Sequence, residues 1–379
     1  MSAATPDVIE LAQNLVRSNT IIGGKGERQT LEFLAGLLQE AGFSCVFDSY
    51  DANNADRVSL IARLCPDDTG KSLFFGGHID TVPLGGAPWK HDPFDGCIRD
   101  EAIYGRGSCD MKGGVAAYVC AALSAAPRLR GRDLVLHIYG GEEIGCHGSF
   151  HLMKSPELYG NPGAGIIAEP TANQPLSGHK GALWLAFETN GRTSHSSMPE
   201  QGDNALAKLL PAANRLLGAA PKAEHILLGS CTMALTSLHS GLNANSIPDK
   251  AVLTMDMRTV PGQDHARLVG DFAALAGTEV LVKSLIDLQA VWTNPYHPWC
   301  VGVRRLLASF LGAEPGIACI QYFTDAAAAR ALFPDLPLLI MGPGDPAMAH
   351  KTDEACPLQH IRSAQAIYEA LIRDWYELD

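Results

Sequence analysis

Two hydrophobic patterns alternate along the first part of the chain. Residues 30–41 carry apolar side chains at helical spacing and stop at Gly42, a residue that commonly ends helices. The alanine-rich segment 113–126 also predicts a helix. Short, nearly continuous apolar runs that predict strands lie at residues 58–65, 72–77, 134–141 and 165–169. The alternation of strands and helices predicts an α/β fold for about the first 170 residues.

A different pattern follows in the middle of the chain. Residues 251–258 alternate apolar and polar side chains, which is typical of a half-exposed antiparallel strand. Further strands and helices are predicted at residues 183–190, 203–217, 265–277 and 280–286. The α/β pattern returns near residue 297, with a helix, a buried strand and a terminal helix predicted at 299–311, at 336–342 and after 357. We therefore expect one α/β domain, residues 1–176 and 290–379, interrupted by a smaller α+β domain, residues 177–289.

The composition restricts the classes of partner. The 379 residues include 29 basic and 41 acidic side chains, and the net charge of -12 disfavours nucleic acid and anionic membranes. No uncharged apolar run reaches the roughly 18 residues needed to span a bilayer. The ten cysteines form no CxxC pair, and the N-terminus lacks a secretory pattern. We therefore expect reduced thiols and a soluble, cytoplasmic protein.

Polar residues that can bind metal stand at the ends of predicted strands, where ligands usually bind in open parallel sheets. His78 and Asp80 lie two residues apart in GGHIDTVP, so that both point to one side of an extended segment. Asp80 can then accept a hydrogen bond from the imidazole or hold its loop. Glu142 and Glu143 in GGEEIG repel each other at a buried strand end, which a bound cation explains. An exposed glutamate pair on a helix is the alternative.

Three further residues complete the set of possible ligands. Asp110 stands between a Gly-rich turn and a helix start, where it can bind metal or cap the helix. Glu169 closes a buried strand in IIAEPT, and His350 lies in the loop MGPGDPAMAHKTDE. Each residue alone has an ordinary structural explanation. Together, the clusters supply two imidazoles and three carboxylates, which suit zinc, cobalt or manganese better than magnesium or an iron–sulfur cluster.

The order of these motifs resembles a known family. The segments that carry the resemblance, over essentially the whole chain, are GHIDTVP, YGRGSCDMKGG, GGEEIG, EPTANQP, GHKG, GRTSHSSMPEQGDNA and GPGDPAMAHKTDE. They resemble the di-zinc exopeptidases and deacylases, which include acetylornithine deacetylase, succinyl-diaminopimelate desuccinylase, aminoacylases, dipeptidases and glutamate carboxypeptidases. The resemblance implies a mixed, mostly parallel central sheet with flanking helices and an inserted lid or dimerisation domain. It also implies two divalent metal ions, zinc first, with cobalt or manganese as alternatives.

The resemblance implies a ligand set for the two metals. Asp110 would bridge them, and the peptide bond that follows it, Asp110–Met111, would be cis. His78 and Glu169 would complete one metal site. Glu143 and His350 would complete the other.

The resemblance also implies the catalytic residues. Glu142 would be the general base that takes a proton from water and gives it to the leaving amine. Asp80 would orient His78. In a homodimer, His195 in GRTSHSSMP would stabilise the oxyanion in the site of the neighbouring subunit.

Further residues resemble those that contact the substrate in this family. Arg258 and Asn245 would grip a carboxylate or nearby oxygens of the substrate, since arginine binds a carboxylate through a bidentate fork. Thr324 in YFTDAAAAR would lie in a loop that touches substrate. Cys109 stands before the bridging aspartate, where small residues are commoner, and is either an extra soft ligand or a small core residue.

The motifs favour one branch of the family. The TDAA loop and the motif around His350 are closer to acetylornithine deacetylase than to the desuccinylases. We therefore expect an N-acyl-amino-acid deacylase of the type used in arginine biosynthesis, whose substrate keeps a free carboxylate near Arg258. A dipeptidase or carboxypeptidase acting on a short peptide, or a succinyl-diaminopimelate desuccinylase, is the alternative. A binding or regulatory protein without catalysis is disfavoured, because no ligand and no base is missing.

Overall fold

The computed structural model describes residues 5–378 of the chain. Its α-helices are α1 (Val8–Arg17), α2 (Gly26–Glu40), α3 (Gly113–Ala125), α4 (His147–Leu152), α5 (Ala205–Leu217), α6 (His265–Ala276), α7 (Pro298–Leu311), α8 (Ala326–Leu332) and α9 (Leu358–Trp375). Its β-strands are β1 (Ser44–Ser49), β2 (Val58–Arg63), β3 (Ser72–His78), β4 (Ile98–Arg99), β5 (Ala102–Tyr104), β6 (Leu134–Tyr139), β7 (Pro162–Pro170), β8 (Gly178–His179), β9 (Gly181–Asn190), β10 (Glu224–His225), β11 (Gly229–Ser230), β12 (Thr232–Ser240), β13 (Lys250–Thr259), β14 (Leu281–Leu288), β15 (Val291–Trp292), β16 (Leu338–Gly342) and β17 (Ala355–Pro357). No helix among residues 5–378 combines the length and the hydropathy that a membrane crossing requires.

The central sheet has six strands in the order β1-β2-β6-β3-β7-β16. The neighbours β6, β3, β7 and β16 run parallel, whereas β1 and β2 are antiparallel to their neighbours. Every residue of β3 and β6 is buried, which explains why both strands consist of nearly continuous apolar runs. The mixed, mostly parallel sheet with flanking helices confirms the predicted fold class.

Helices cover the central sheet and bury its apolar side chains. α3 is almost entirely buried and packs against α1 and α9. Its Gly114 leaves no room for a side chain, because a Cβ there would lie 2.2 Å from the main-chain oxygen of Ala168. This close approach brings the beginning of α3 next to the carboxyl end of β7.

The chain divides into two compact units. The second unit comprises His179–Val291 and Cys319–Phe323, and the remaining described residues form the first. The second unit contains an antiparallel sheet in the order β12-β13-β9-β14, against which α5 and α6 pack. The apolar side chains of β13 on the predicted inner face are buried in this core: Leu253, Met255 and Met257.

The sequence patterns missed or misplaced some elements. Helix α1 was not predicted, although Asp7 caps it by accepting the N–H groups of Ile9 and Glu10. Strand β12 was also missed, because it lies at the edge of its sheet and its side chains are mostly exposed or half-buried. Helix α5 begins two residues later than predicted, since Asn204 provides the cap.

Candidate metal centre

The polar residues that follow the predicted strands meet at the carboxyl edge of the central sheet. His78 is the last residue of β3, and Glu169 is the next-to-last residue of β7. Glu142 and Glu143 follow the end of β6 after two glycines. Parallel strands present their carboxyl ends at one edge, so these side chains are neighbours.

Asp110 connects two groups of possible ligands. Its Oδ1 lies 3.2 Å from Nε2 of His78, and its Oδ2 lies 3.4 Å from Nε2 of His350. Glu169 Oε1 is 3.8 Å from Nε2 of His78, and Glu143 Oε2 is 3.0 Å from Nε2 of His350. Within each group of three residues, the candidate ligand atoms all lie within 4.8 Å of one another. The structure therefore brings together all five residues that were predicted as ligands.

Asp110 sits in an irregular turn rather than at a helix cap. The turn Ser108–Lys112 precedes α3, and Asp110 has non-helical angles, with φ -119° and ψ 94°. The Asp110–Met111 peptide bond is cis, as the resemblance implied. The N-cap position of α3 is Lys112, which makes no capping hydrogen bond with its side chain. The carboxylate of Asp110 faces the two histidines.

His78 can present a lone pair to a cation. Its Nδ1 lies 3.0 Å from the main-chain oxygen of Asp80, an atom that can only accept a hydrogen bond. In the neutral imidazole, Nδ1 therefore carries the proton. In that neutral form Nε2, which faces Asp110 and Glu169, has the lone pair that a cation would bind. In the protonated form, Nε2 carries a proton and donates it to Oδ1 of Asp110.

The carboxylate of Asp80 supports the turn that carries the two glutamates. Its Oδ1 accepts the N–H of Glu142, and its Oδ2 accepts the N–H of Glu143, both at 3.1 Å. The same carboxylate lies 3.7 Å from Nδ1 of His78, farther than the main-chain oxygen that this nitrogen faces. Asp80 therefore contacts His78 through its backbone and the glutamate turn through its side chain.

The two histidines and the carboxylates perturb one another strongly. Burial favours the neutral form of His78, but its hydrogen bond with Asp110 and the charge of Glu169 outweigh burial and raise its pKa. Hydrogen bonds to Asp110 and Glu143 raise the pKa of His350 to about 10. Burial opposes ionisation of Asp110, yet its hydrogen bonds from the two histidines hold its pKa below the ordinary value. Burial raises the pKa of Glu143.

The donor set fits two divalent cations. Four carboxylates crowd around two imidazoles at the sheet edge: Asp110, Glu142, Glu143 and Glu169. Such crowding is unfavourable for the ionised forms, and burial raises the pKa of Glu142 and of Glu169 well above the ordinary value. Divalent cations would supply the compensating positive charge, and imidazole nitrogens with carboxylate oxygens suit zinc, cobalt or manganese.

Two predicted residues of the second unit lie in adjacent loops. His195 is exposed, and its Nδ1 accepts the N–H of Ser197 at 3.1 Å and lies 2.7 Å from the hydroxyl of the same residue. This pairing leaves the proton on Nε2, which can act as a donor. The N–H of Ser196 donates to the main-chain oxygen of Asn245 at 2.9 Å, so the two loops touch.

Arg258 is held by three side chains of the second unit. Its guanidinium lies 5.8 Å from the ring centroid of Trp184 and 5.7 Å from that of Phe323. Its Nε is 3.0 Å from Oδ1 of Asp256. Aromatic faces and a carboxylate orient the guanidinium, which remains partly exposed.

Two other predicted residues have well-defined surroundings. Thr324 is buried, and its hydroxyl accepts the N–H of Ala326 at the start of α8. The buried Cys109 donates from its thiol to the main-chain oxygen of Asp345 at 3.2 Å, and it belongs to neither group of possible ligands. Asp325, the residue after Thr324, was not predicted as part of the site; its buried carboxylate accepts a hydrogen bond from Ser149 at 2.6 Å.

The sequence matches a described family along most of its length. The profile of Peptidase family M20/M25/M40 matches residues 74–374. The chain belongs to this family. Two curated members are similar over 98% of this chain and 98% of their own: the acetylornithine deacetylase of Pectobacterium atrosepticum, 27% identical, and the succinyl-diaminopimelate desuccinylase of Granulibacter bethesdensis, 28% identical.

Solved structures of family members share this fold. The metallo-carboxypeptidase Sso-CP2 of Sulfolobus solfataricus is 17% identical, with a TM-score of 0.79 over 98% of this chain and 100% of that chain. The YXEP protein of Bacillus subtilis, described as a dinuclear metal binding peptidase, is 15% identical, with a TM-score of 0.70 over 98% of both chains. Metallopeptidases and deacylases of the M20 family are hydrolases that act on peptides or acyl amino acids, so this chain is a hydrolase.

Proposed function

We propose that the chain hydrolyses the amide bond of an N-acyl amino acid, with two divalent cations bound at the ligand groups that share Asp110. The observation that carries the proposal is the pair of groups itself. One contains His78 and Glu169, the other contains Glu143 and His350, and the two oxygens of Asp110 point to opposite groups. Zinc is the proposed metal, with cobalt or manganese as alternatives.

Glu142 is proposed as the general base. Bound divalent cations supply Lewis acidity and lower the pKa of water towards neutrality. Glu142 then accepts the proton of the attacking water and delivers it to the leaving amine nitrogen. Its Oε2 lies 4.0 Å from Nε2 of His78, which places the carboxylate beside the ligands. Burial raises the pKa of Glu142, which makes its carboxylate a stronger acceptor for the proton of water.

Contacts on both sides fix the position of Glu142. Its N–H donates to Asp80. The thiol of the buried Cys146 lies 3.7 Å from its Oε1. A base whose main chain and side chain are both held loses little freedom when it meets the water proton.

Residues of the second unit are proposed to bind the substrate. The Nε2–H of His195 suits stabilisation of the tetrahedral oxyanion, which requires a hydrogen-bond donor. Arg258, with its oriented guanidinium, suits a free α-carboxylate, and Asn245 suits a neighbouring oxygen. Thr324 is the proposed contact from the first unit. We also propose that the second unit is a lid and mediates a homodimer, which sedimentation of the purified protein would test.

The acetylornithine-type deacylase is the leading proposal for the substrate, and it is supported by the 27% identity over nearly the full length. The 28% identity to a desuccinylase supports succinyl-diaminopimelate as a second candidate, and the carboxypeptidase structure supports a short peptide. Turnover of acetylornithine, succinyl-diaminopimelate and a dipeptide panel by metal-reconstituted enzyme would distinguish them. We expect the highest kcat/KM for acetylornithine. If the enzyme hydrolyses none of these compounds, the proposed function is wrong.

A further inference from the structure

Glu354 makes four hydrogen bonds to the segment that leads into Asp110. Its Oε1 accepts the main-chain N–H of Cys109 at 2.9 Å and that of Asp110 at 3.0 Å. Its Oε2 accepts the N–H of Gly107 at 3.0 Å and a guanidinium N–H of Arg106 at 2.7 Å. The carboxylate is completely buried. One buried side chain thus accepts three main-chain N–H groups and one guanidinium N–H from the segment 106–110.

The same residue connects two loops that carry proposed ligands. Glu354 follows His350 by four positions, and its main-chain oxygen accepts the N–H of Gly105 at 2.9 Å. Arg106 also donates to the main-chain oxygen of Lys351 at 3.3 Å. The loop with Asp110 and the loop with His350 are therefore fastened together by a buried ion pair and main-chain hydrogen bonds. A shift of either loop changes the distance between their ligand atoms.

The orientation of Asp110 depends on this turn. Its two oxygens must face two different histidines at the same time, which allows little rotation of the main chain. Gly107 adopts φ 83°, and a Cβ there would lie 2.7 Å from the side chain of Thr81, so this position of the turn requires glycine. The two main-chain N–H groups that Glu354 Oε1 accepts belong to Asp110 and to the residue before it.

We propose that Glu354 is a positioning residue for the metal pair: it orients Asp110 between His78 and His350 and holds the two ligand loops in register. The inference rests on the ligand set of the proposed function. Glu354 itself faces main-chain N–H groups and Arg106 and is not one of the ligands. Outer contacts of this kind change metal affinity by about 10- to 100-fold when they are removed.

Glu354→Gln tests this role. Glutamine keeps the size of the side chain and one acceptor oxygen. Its NH2 group, however, cannot accept a hydrogen bond, so two N–H groups lose their partner: either those of Cys109 and Asp110 or those of Gly107 and Arg106. The matched control is Asp133→Asn. Asp133 is also buried, and its carboxylate accepts the Nε–H of Arg63 at 3.0 Å and the main-chain N–H of Cys65 at 3.4 Å. Asp133 precedes β6, at the opposite end of that strand from the glutamate turn.

Three readouts are compared in the two variants and the wild type: metal-free thermal stability, amide hydrogen exchange at residues 107–110 of the metal-free protein, and titration with cobalt(II) followed by its visible absorption. We expect Glu354→Gln to accelerate this exchange, to weaken cobalt binding by about 10- to 100-fold, and to alter the absorption of the loaded protein. Asp133→Asn should lower only the thermal stability.

Two results would overturn the proposal. One is that Glu354→Gln keeps the exchange rates and the cobalt affinity of the wild type. The other is that Glu354→Gln and Asp133→Asn lose cobalt affinity equally. If Glu354→Gln does not fold, Glu354→Asp carries the same test, since it keeps the charge but withdraws the oxygens by one methylene. We expect it to weaken cobalt binding, and wild-type affinity would overturn the proposal. These readouts need no substrate, so a failure of the proposed reaction is distinguishable from a failure of this inference.

Discussion

Asp80→Asn isolates the carboxylate that supports the glutamate turn. The two oxygens of Asp80 accept the N–H groups of Glu142 and Glu143 at 3.1 Å, and the side chain is buried. Asparagine preserves the shape but replaces one acceptor by a donor, so one of the two N–H groups loses its partner. A hydrogen bond to a charged group contributes about 1.5 to 3 kcal/mol, which corresponds to a change of about 10- to 150-fold in an equilibrium constant.

The expected loss falls on one metal site more than on the other. His78 faces the main-chain oxygen of Asp80 at 3.0 Å, and this contact does not involve the substituted side chain. Glu143, in contrast, moves with the turn that loses its support. We therefore expect the affinity at the site of Glu143 and His350 to fall by about 10- to 150-fold, while the site of His78 retains nearly wild-type affinity.

Calorimetric titration of the metal-free protein with zinc would measure the two affinities separately. Thr20→Val is a suitable control, because the hydroxyl of Thr20 donates to the main-chain oxygen of Ile79 at 2.6 Å without touching the glutamate turn. This control should lower stability by about 1 to 3 kcal/mol, because the buried main-chain oxygen of Ile79 loses a donor, and leave both affinities unchanged. Unchanged zinc affinity in Asp80→Asn, or an equal loss at both sites, would show that the carboxylate of Asp80 does not hold Glu143 in place.

Three further outcomes are expected. Glu142→Ala should retain two metals by elemental analysis yet lose about 100- to 10,000-fold in kcat, and a fully active variant would exclude Glu142 as the base. Gly114→Ala should lower the melting temperature, since its Cβ meets a main-chain oxygen at 2.2 Å, whereas Gly36→Ala in α2 has open space and should raise it; the opposite order would contradict the packing. Burial lowers the pKa of His137 to about 3, so only the unfolded chain binds this proton below about pH 6.5, and stability falls as the pH falls. In urea unfolding between about pH 7 and about pH 5, His137→Phe should reduce this dependence, and an unchanged slope would contradict it.

The sequence signals for the ligands are strong because of their position. His78 and Glu169 each end an apolar run, and the glutamate pair follows a run with two glycines. Each of these residues alone has an ordinary structural explanation, but several of them follow buried strands, so the carboxyl edge of the sheet could be predicted as the site. The resemblance then supplied the partition of ligands between two metals, which spacing alone left open.

Long-range contacts explain what the sequence could not predict. Glu354 lies near His350 in the chain, but the main-chain N–H groups that its carboxylate accepts belong to a distant segment. Cys109, for example, is 245 positions away. Asp325 is buried and accepts the hydroxyl of Ser149, 176 positions away in the chain, and no periodic pattern marks it. The two-residue spacing places Asp80 near His78. It does not reveal that the carboxylate of Asp80 accepts the main-chain N–H groups of Glu142 and Glu143.

Anomalous diffraction from crystals grown with zinc would locate the bound metals relative to Asp110. We expect two peaks per chain about 3.5 to 4 Å apart, one among His78, Asp110 and Glu169 and the other among Asp110, Glu143 and His350. A single peak away from Asp110, or two peaks that do not share its carboxylate, would contradict this expectation.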